Sequence, residues 1–118
     1  MRIMGMKIIN KTQNTILAEE VIIANSLFKR TKGLLGRKEF KAGQAIILKP
    51  CNSIHTFFMR FPIDVLFVSK DNRVIKAISR LKPFRLTYIY CNATFAIELP
   101  AGIIQSTSTH QDDLLLIE

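Results

Sequence analysis

The sequence is divided into short apolar runs of β-strand length, each bounded by turn-forming residues. The runs "TILAEEVIIA", "QAIILK", "IDVLFVS", "RVIKAIS" and "FAIEL" are five to ten residues long and rich in Ile, Val and Phe. Runs of this length and composition predict strands, because amphipathic helices need longer stretches with a 3.6-residue period. "LTYIY" and the terminal "DLLLIE" continue the pattern. We therefore predict a mainly β fold, a small β-sandwich or barrel-like domain of eight or nine short strands.

Turn signals between these runs predict how the strands connect. "KTQN" separates "MKIIN" from "TILAEEVIIA", so residues 6–24 are expected to form a hairpin. Asp71 and Asn72 can adopt the left-handed conformations of a tight turn between the following pair of strands. Further strands are expected near residues 45–49, 63–69, 73–79 and 94–99.

The stretch "NSLFKRTKGLLGRKEF" has a different character and predicts a single short helix between residues 25 and 36. Gly33 or Gly36 is expected to end that helix as a structural glycine. Gly102 follows the buried run of "ELPAG", where Pro100 removes a ladder donor. We expect Gly102 to occupy a turn with positive φ.

Length and composition place the chain among ordinary globular proteins. With 118 residues and 48% hydrophobic content, residues 1–118 are expected to form a single domain, and we expect a monomer. No apolar run is long enough to span a bilayer. The N-terminal region shows no secretory leader pattern, which predicts a cytoplasmic protein. In that reducing compartment Cys51 and Cys91 are expected to be unlinked thiols.

The chain is basic, with 17 Lys and Arg against 9 Asp and Glu and a net charge of +8. This excess favours anionic partners, either an anionic small molecule or an acidic protein surface. Six cations lie in the basic segment 29–41: Lys29, Arg30, Lys32, Arg37, Lys38 and Lys41. Nucleic-acid binding is the weaker interpretation, because no aromatic residues alternate with these cations to stack bases.

Polar residues interrupt one of the most apolar segments, "KPCNSIHTFFMRFPIDVLFVS" at residues 49–69. Taken as an extended strand, residues 51–61 carry large apolar side chains on both faces, so burial on both sides is expected. Asp64 between Ile63 and Val65, and Glu98 between Ile97 and Leu99, would then need partners. We predict a polar cluster and candidate binding site of Arg37, Cys51, Ser53, His55, Thr56, Arg60, Asp64, Arg85 and Glu98.

Several interpretations of this cluster remain open. The two acids can form structural ion pairs or accept backbone N–H bonds, or one can act as the general acid or base of a small hydrolase or transferase. Cys51 and His55 can form a nucleophile–base pair only across a sharp bend, since strand positions four apart are separated by about 13 Å. Zinc binding by Cys51, His55, Cys91 and His110 lacks the usual paired-ligand spacing. No metal and no cofactor are therefore expected.

The stretches "TKGLLGR", "PCNSIHTFFMRFPIDVLFV", "LKPFR" and "AIELPAG" together resemble the DUF192 family of uncharacterised bacterial and archaeal proteins. The resemblance covers roughly residues 27–118 and implies a compact β-rich domain, with no established activity to carry over. The family pattern falls on Gly33, Leu34, Arg37, Cys51, Ser53, His55, Thr56, Phe58, Met59, Asp64, Phe67, Glu98 and Gly102. Other branches of the family lack Cys51 and carry tryptophan at the position of His55. This chain in turn has Gln111 where the family usually has glycine.

These observations favour a non-catalytic ligand-binding, partner-binding or accessory domain. The polar cluster would form its site, with the basic segment 29–41 at the rim. The alternatives are a small hydrolase or transferase that uses Asp64 or Glu98, and a weak nucleic-acid binder that uses the basic segment.

Overall fold

The computed structural model describes residues 2–4, 6–24, 39–57 and 59–118. These ranges contain eight strands and one short helix. The strands are β1 (Arg2–Met4), β2 (Ile8–Asn10), β3 (Thr15–Ala24), β4 (Gly43–Leu48), β5 (Ile63–Val68), β6 (Val74–Leu81), β7 (Phe95–Pro100) and β8 (Leu115–Ile117), and the helix α1 is Ile103–Ser106.

All eight strands belong to one sheet that curls into a half-barrel. The strand order is β6-β5-β7-β4-β3-β2-β8, and β1 pairs with β3 outside this path. Neighbouring strands are antiparallel except β3 and β4, which run parallel with Ala18 beside Gly43 and Ala24 beside Leu48. The predicted mainly β, barrel-like fold is confirmed.

Most of the predicted strands are confirmed to within about two residues at each end. The hairpin over 6–24 is β2 and β3, which pair antiparallel. Asn72 has φ 64° in the turn between β5 and β6, as the Asp71-Asn72 pair predicted. The helix predicted between 25 and 36 lies outside the described residues, as do Gly33 and Gly36, whereas Gly102 has the expected positive φ of 101°.

One expected strand is absent from the described residues, and one element was not predicted. "LTYIY" at residues 86–90 is not a strand: Leu86 makes one isolated bridge to His55, and Tyr88 is 82% exposed. Alternation of apolar residues predicted a buried strand there, but without a continuous sheet neighbour Leu86, Tyr88 and Ile89 face solvent, and only Tyr90 packs against the core. The helix α1 was not predicted either, because its four residues, "IIQS", are too few to show a helical period.

The central strands β5 and β7 are buried along their whole length, and each sheet face contributes to its own apolar cluster. The first cluster contains Leu66 and Leu99 together with Ile104 of α1. The second contains Val65 and Phe67 together with Cys51, Ile54 and Met59 from the segment before β5. Because successive side chains of a strand point to opposite faces, neighbouring residues of β5 and β7 belong to different halves of the core.

Candidate functional site

Asp64 is fully buried in β5 and accepts three backbone hydrogen bonds. Its Oδ1 accepts from the N–H of Arg80 at 2.8 Å, and its Oδ2 accepts from Gly102 at 3.1 Å and from Ile104 at 2.8 Å. The predicted burial of Asp64 is confirmed, and of the two kinds of partner that the sequence left open, ion pairs and backbone N–H groups, the structure shows backbone N–H groups. We call this carboxylate with its three N–H donors the Asp64 latch.

Each donor of the Asp64 latch is available because the local backbone is irregular. The pairing of β5 with β6 shifts register opposite Asp64, and this bulge leaves Arg80, at φ 53°, with its N–H directed to the carboxylate. Gly102 has φ 101° at the start of α1 and no side chain to cap the helix. Asp64 therefore supplies, from a distant strand, the acceptor that an N-cap side chain usually provides to the first helical turn.

Glu98 is also buried, but it lies on the opposite face of the sheet from Asp64. Asp64 pairs with Leu99 across β5 and β7, and Glu98 pairs with Val65. Paired residues share a face and successive residues alternate, so the two carboxylates are separated by the sheet. The expectation that both acids belong to one cluster is therefore wrong, for the same period-two reason that predicted the strands.

The segment 51–61 is largely irregular rather than an extended strand buried on both sides. Thr56 is fully buried, but Asn52, Phe57 and Arg60 are exposed. Thr56 connects this segment to the loop after β6: its Oγ1 donates to the carbonyl of Lys82 at 2.6 Å and accepts from the N–H of Arg85 at 2.9 Å. Thr56 thus acts as a tether for the loop that follows β6.

Cys51 and His55 have separate local contacts. The Cys51 thiol is buried and donates to the carbonyl of Ser53 at 3.1 Å. His55 stacks on Phe57 with ring centroids 5.0 Å apart, and its Nδ1 accepts from the N–H of Phe57 at 3.3 Å. Neither Cys51 nor the exposed Cys91 is in a disulfide. Within the described ranges, no group of three or more His, Cys, Asp or Glu is placed to hold a metal ion.

The two described arginines of the predicted polar cluster, Arg60 and Arg85, make no ion pair with Asp64 in the part of the chain that the structure describes. Both side chains are exposed. The guanidinium of Arg85 contacts only weakly the carbonyls of Pro83 and Phe84, at 3.4 and 3.5 Å. Arg37 lies outside the described residues, as does most of the basic segment 29–41, of which Lys41 is exposed beside Glu39.

A buried polar network around Asp113 was missed by the sequence interpretation. The amide of Asn10 donates to Asp113 at 2.9 Å and to Thr109 at 3.1 Å, and the N–H of His110 donates to Asp113 at 2.9 Å. Gln13 adds longer bonds of 3.3 Å. Burial alone would raise the pKa of the Asp113 carboxyl. These hydrogen bonds, with the charge of His110, outweigh burial and hold that pKa below its ordinary value of 3.8.

Large apolar side chains are exposed on the loop after β6 and on the segment that Thr56 joins to it. Phe84, Leu86, Tyr88 and Ile89 are 58, 70, 82 and 66% exposed, and Phe57 is 38% exposed. Arg60, Lys82 and Arg85 are exposed on the same two segments, and neither residues 51–62 nor residues 81–94 contain an Asp or Glu. We call these eight residues the apolar–basic face.

A cavity of about 240 Å³ opens elsewhere, lined by Met6, Ile23, Ile47, Lys49, Asn72, Phe95 and Ile117. Its lining is mostly apolar, and the ammonium of Lys49 lies 5.5 Å from the centre of the Phe95 ring. It is smaller than the pockets that hold drug-sized ligands, so it suits a small molecule.

Comparison with known proteins identifies the family but no activity. The DUF192 family model, described as "uncharacterized ACR", matches residues 8–117. A UPF0127 protein of Pyrococcus horikoshii is 36% identical over 104 residues, which cover 84% of this chain and 88% of that one. A UPF0127 protein of Pyrococcus furiosus is 32% identical over 112 residues, which cover 91% and 94%.

Two solved structures share the fold at low sequence identity. A protein of unknown function from Novosphingobium aromaticivorans superposes with a TM-score of 0.81 at 16% identity, covering 97% of this chain and 84% of that one. A protein from Sinorhizobium meliloti superposes with a TM-score of 0.78 at 18% identity, covering 94% and 90%. At these identities the likeness shows the fold alone.

Proposed function

The chain belongs to the DUF192 family of uncharacterised proteins, and from its own surface we propose that it is a non-catalytic accessory domain that binds an acidic protein partner through the apolar–basic face. The observation that carries this proposal is the exposure of five large apolar side chains together on two adjoining segments. Singly exposed apolar residues are ordinary on soluble proteins, but five large ones on two segments that hydrogen bonds join are more typical of an interaction site.

Charge determines which partner fits this face. Arg60, Lys82 and Arg85 are exposed on the same two segments as the apolar side chains, and no acid lies in either segment to neutralise them. An acidic partner gains favourable encounter electrostatics, whereas a second copy of this chain, with its own charge of +8, is repelled. The face therefore favours a foreign acidic surface over self-association, in keeping with a monomer.

The arrangement of the acids supports binding rather than catalysis. A general acid or base must reach a reacting group, but both oxygens of Asp64 are occupied by backbone N–H groups and its side chain is fully buried. Glu98 is buried on the other face of the sheet. The two carboxylates therefore do not form a pair that could act together on one substrate.

Site-specific photocrosslinking in cells tests the proposal. A benzophenone side chain placed at Tyr88 should form an adduct with an acidic polypeptide, and the double charge reversal Lys82→Glu and Arg85→Glu should remove that adduct. The matched control is a benzophenone at Ile16, which is 51% exposed but lies outside the face. Equal adducts from both positions, no adduct from Tyr88, or an adduct with a second copy of the chain would each contradict the proposal.

The cavity near Lys49 favours a second candidate function, binding of a small apolar carboxylate. The apolar lining would take the hydrocarbon part, and Lys49 would pair with the carboxylate. Octanoate should then raise the melting temperature, octylamine should not, and Lys49→Gln should abolish the octanoate shift. No shift with octanoate would reject this candidate.

We further propose that the protein is located in the cytoplasm. No helix in the described ranges is long and apolar enough to cross a membrane. Cys91 is exposed and outside any disulfide, so it can report the compartment. A membrane-permeant maleimide should label Cys91 in intact cells, and an impermeant one should not.

A further inference from the structure

We propose that the apolar–basic face binds its partner by strand addition: an extended acidic segment of the partner pairs with residues 85–88 through the backbone of Leu86. This inference rests on the proposed function and adds the binding mode and the chemistry of the bound segment. Three features carry it: an extended backbone, an unused hydrogen-bonding edge, and an alternation of apolar and basic side chains.

The backbone around Leu86 already has the geometry of a strand. Leu86 and His55 form an antiparallel bridge. The N–H of Thr56 donates to the carbonyl of Arg85 at 2.9 Å, and the N–H of Thr87 donates to the carbonyl of Ile54 at 3.0 Å. These two bonds flank the bridge, so Leu86 and His55 are a pair whose own N–H and C=O groups point away from each other.

The outer edge of this extended segment is open. In the described part of the chain, no hydrogen bond uses the N–H or the carbonyl of Leu86, and none uses the N–H of Tyr88. Leu86 and Tyr88 are also 70 and 82% exposed. An unpaired strand edge is a template for pairing with another chain, and adding a strand there satisfies its donors and acceptors.

The side chains define the sequence pattern of the incoming segment. Leu86 and Tyr88 alternate with Arg85 and Thr87 along the extended segment, so the two apolar side chains project from one side of the edge and the Arg85 side chain from the other, whereas Phe84, at φ 61°, lies outside this alternation. A segment with alternating apolar and acidic residues matches both sides in a single register. Lys82, four residues before Leu86, and Arg60, on the segment that Thr56 joins to this loop, are exposed and add positive charge to the apolar–basic face, which further favours an acidic strand.

Two substitutions at Leu86 separate strand addition from simple apolar docking. Leu86→Ala removes the side chain but keeps the N–H, whereas Leu86→Pro removes both. Because the Leu86 N–H has no partner in the described structure, proline there removes no internal hydrogen bond. Arg85 is already extended by its bridge bond, the conformation that a residue before proline favours. Both variants should therefore unfold at similar denaturant concentrations.

The probe is the peptide acetyl-Glu-Val-Glu-Phe-Glu-Val-Glu-amide, with a matched peptide that has Lys in place of Glu. We expect the acidic peptide to bind the full chain and the basic one not to bind. Leu86→Ala should weaken binding moderately, and Leu86→Pro should weaken it by roughly a further fivefold, the value of about one hydrogen bond. Amide exchange at Leu86 should slow on binding, while exchange at Lys76 on β6 should not change.

The possible outcomes distinguish the binding mode from the proposed function. If Leu86→Ala and Leu86→Pro bind the acidic peptide equally, strand addition is wrong, and docking of an acidic partner stands. If the wild-type chain binds the acidic peptide more weakly than about 1 mM, or binds both peptides alike, both proposals are wrong. If sedimentation shows dimers that Leu86→Pro abolishes, the open edge pairs with a second copy, and the acidic partner is rejected.

Discussion

The Asp64 latch and the apolar–basic face differ in how their groups are matched to their surroundings: the buried polar group has hydrogen-bond partners, whereas the exposed apolar groups are only partly covered by the rest of the described chain. At the latch the Asp64 carboxylate is fully buried, and three backbone N–H groups donate hydrogen bonds to it. At the face large apolar side chains are exposed to solvent, and among the described residues no hydrogen bond uses the N–H or the carbonyl of Leu86. A buried polar group without a hydrogen-bond partner costs free energy, so a fully hydrogen-bonded buried carboxylate is typical of a site that stabilises the fold. Exposed apolar surface also costs free energy, and a set of exposed apolar side chains is typical of a binding site.

Asp64→Asn should break the latch and give the largest effect on stability. An amide can accept through one oxygen only, and its NH₂ group opposes the buried N–H donors, so at least one donor is left without a partner. We expect the free energy of unfolding to fall by about 2–4 kcal/mol, as measured by urea denaturation. The exposed Asp71→Asn is the control. A loss below about 0.5 kcal/mol for Asp64→Asn would show that the latch does not stabilise the fold.

Thr56→Val should destabilise the attachment of the loop after β6 to residues 51–61, because it removes the two hydrogen bonds of the Thr56 hydroxyl to that loop. The substitution keeps the shape of the side chain but removes the acceptor of the Arg85 N–H and the donor to Lys82. We expect a loss of about 1–2 kcal/mol. Amide exchange should accelerate at Arg85 and Thr87 before it does so in β5. Uniform acceleration throughout the sheet would instead indicate global destabilisation without a local tether.

Asp113, like Asp64, is a buried carboxylate that accepts several hydrogen bonds, and its contribution to the free energy of unfolding should depend on pH. The pKa of folded Asp113 lies below the ordinary 3.8, so its contribution to stability is fully present above that pH. The contribution is lost as the pH falls through the folded pKa. Between about pH 5 and about pH 2, the wild-type chain should therefore lose more stability than Asp113→Asn. Asp112→Asn, at an exposed neighbour, should follow the wild-type curve, and parallel curves for all three proteins would contradict the assignment.

Substitutions in the apolar–basic face should have the smallest effect on stability. Leu86→Ser and Tyr88→Ser should each change the free energy of unfolding by no more than about 0.5 kcal/mol, because both side chains are mostly exposed. The same variants should weaken binding of the acidic peptide moderately, as Leu86→Ala should. A large loss of stability from either would place that side chain in the folding core and remove the contrast with Asp64.

The strands and the burial of Asp64 could be predicted because both depend on local sequence. An acid flanked by Ile63 and Val65 in a strand-length apolar run has to be buried, and burial requires partners. The partners themselves could not be predicted. Any residue except proline can donate a backbone N–H, so the sequence contains no signal for Arg80, Gly102 or Ile104, which lie 16 to 40 residues away.

The remaining differences also have physical causes. Glu98 and Asp64 have similar apolar surroundings in sequence, and only the register of β5 with β7 places them on opposite faces. The Asp113 network lies in "STSTHQDD", whose polar composition is typical of an exposed loop. One residue could have indicated this network: Asn10 is a polar residue at the end of the apolar run "KIIN". The Asn10 side chain is fully buried in the structure.

The pairing of β2 with β8 has a consequence for the order of synthesis. β2 comes from the beginning of the sequence and β8 from its final residues, yet they are neighbours, and Lys7 and Glu118 exchange two backbone bonds. While a ribosome is still making the chain, the hairpin of β2 and β3 can form, but one side of β2 has no neighbour until β8 emerges. Until β8 has been synthesised, the nascent chain therefore exposes an unpaired edge of β2, with which another chain could pair.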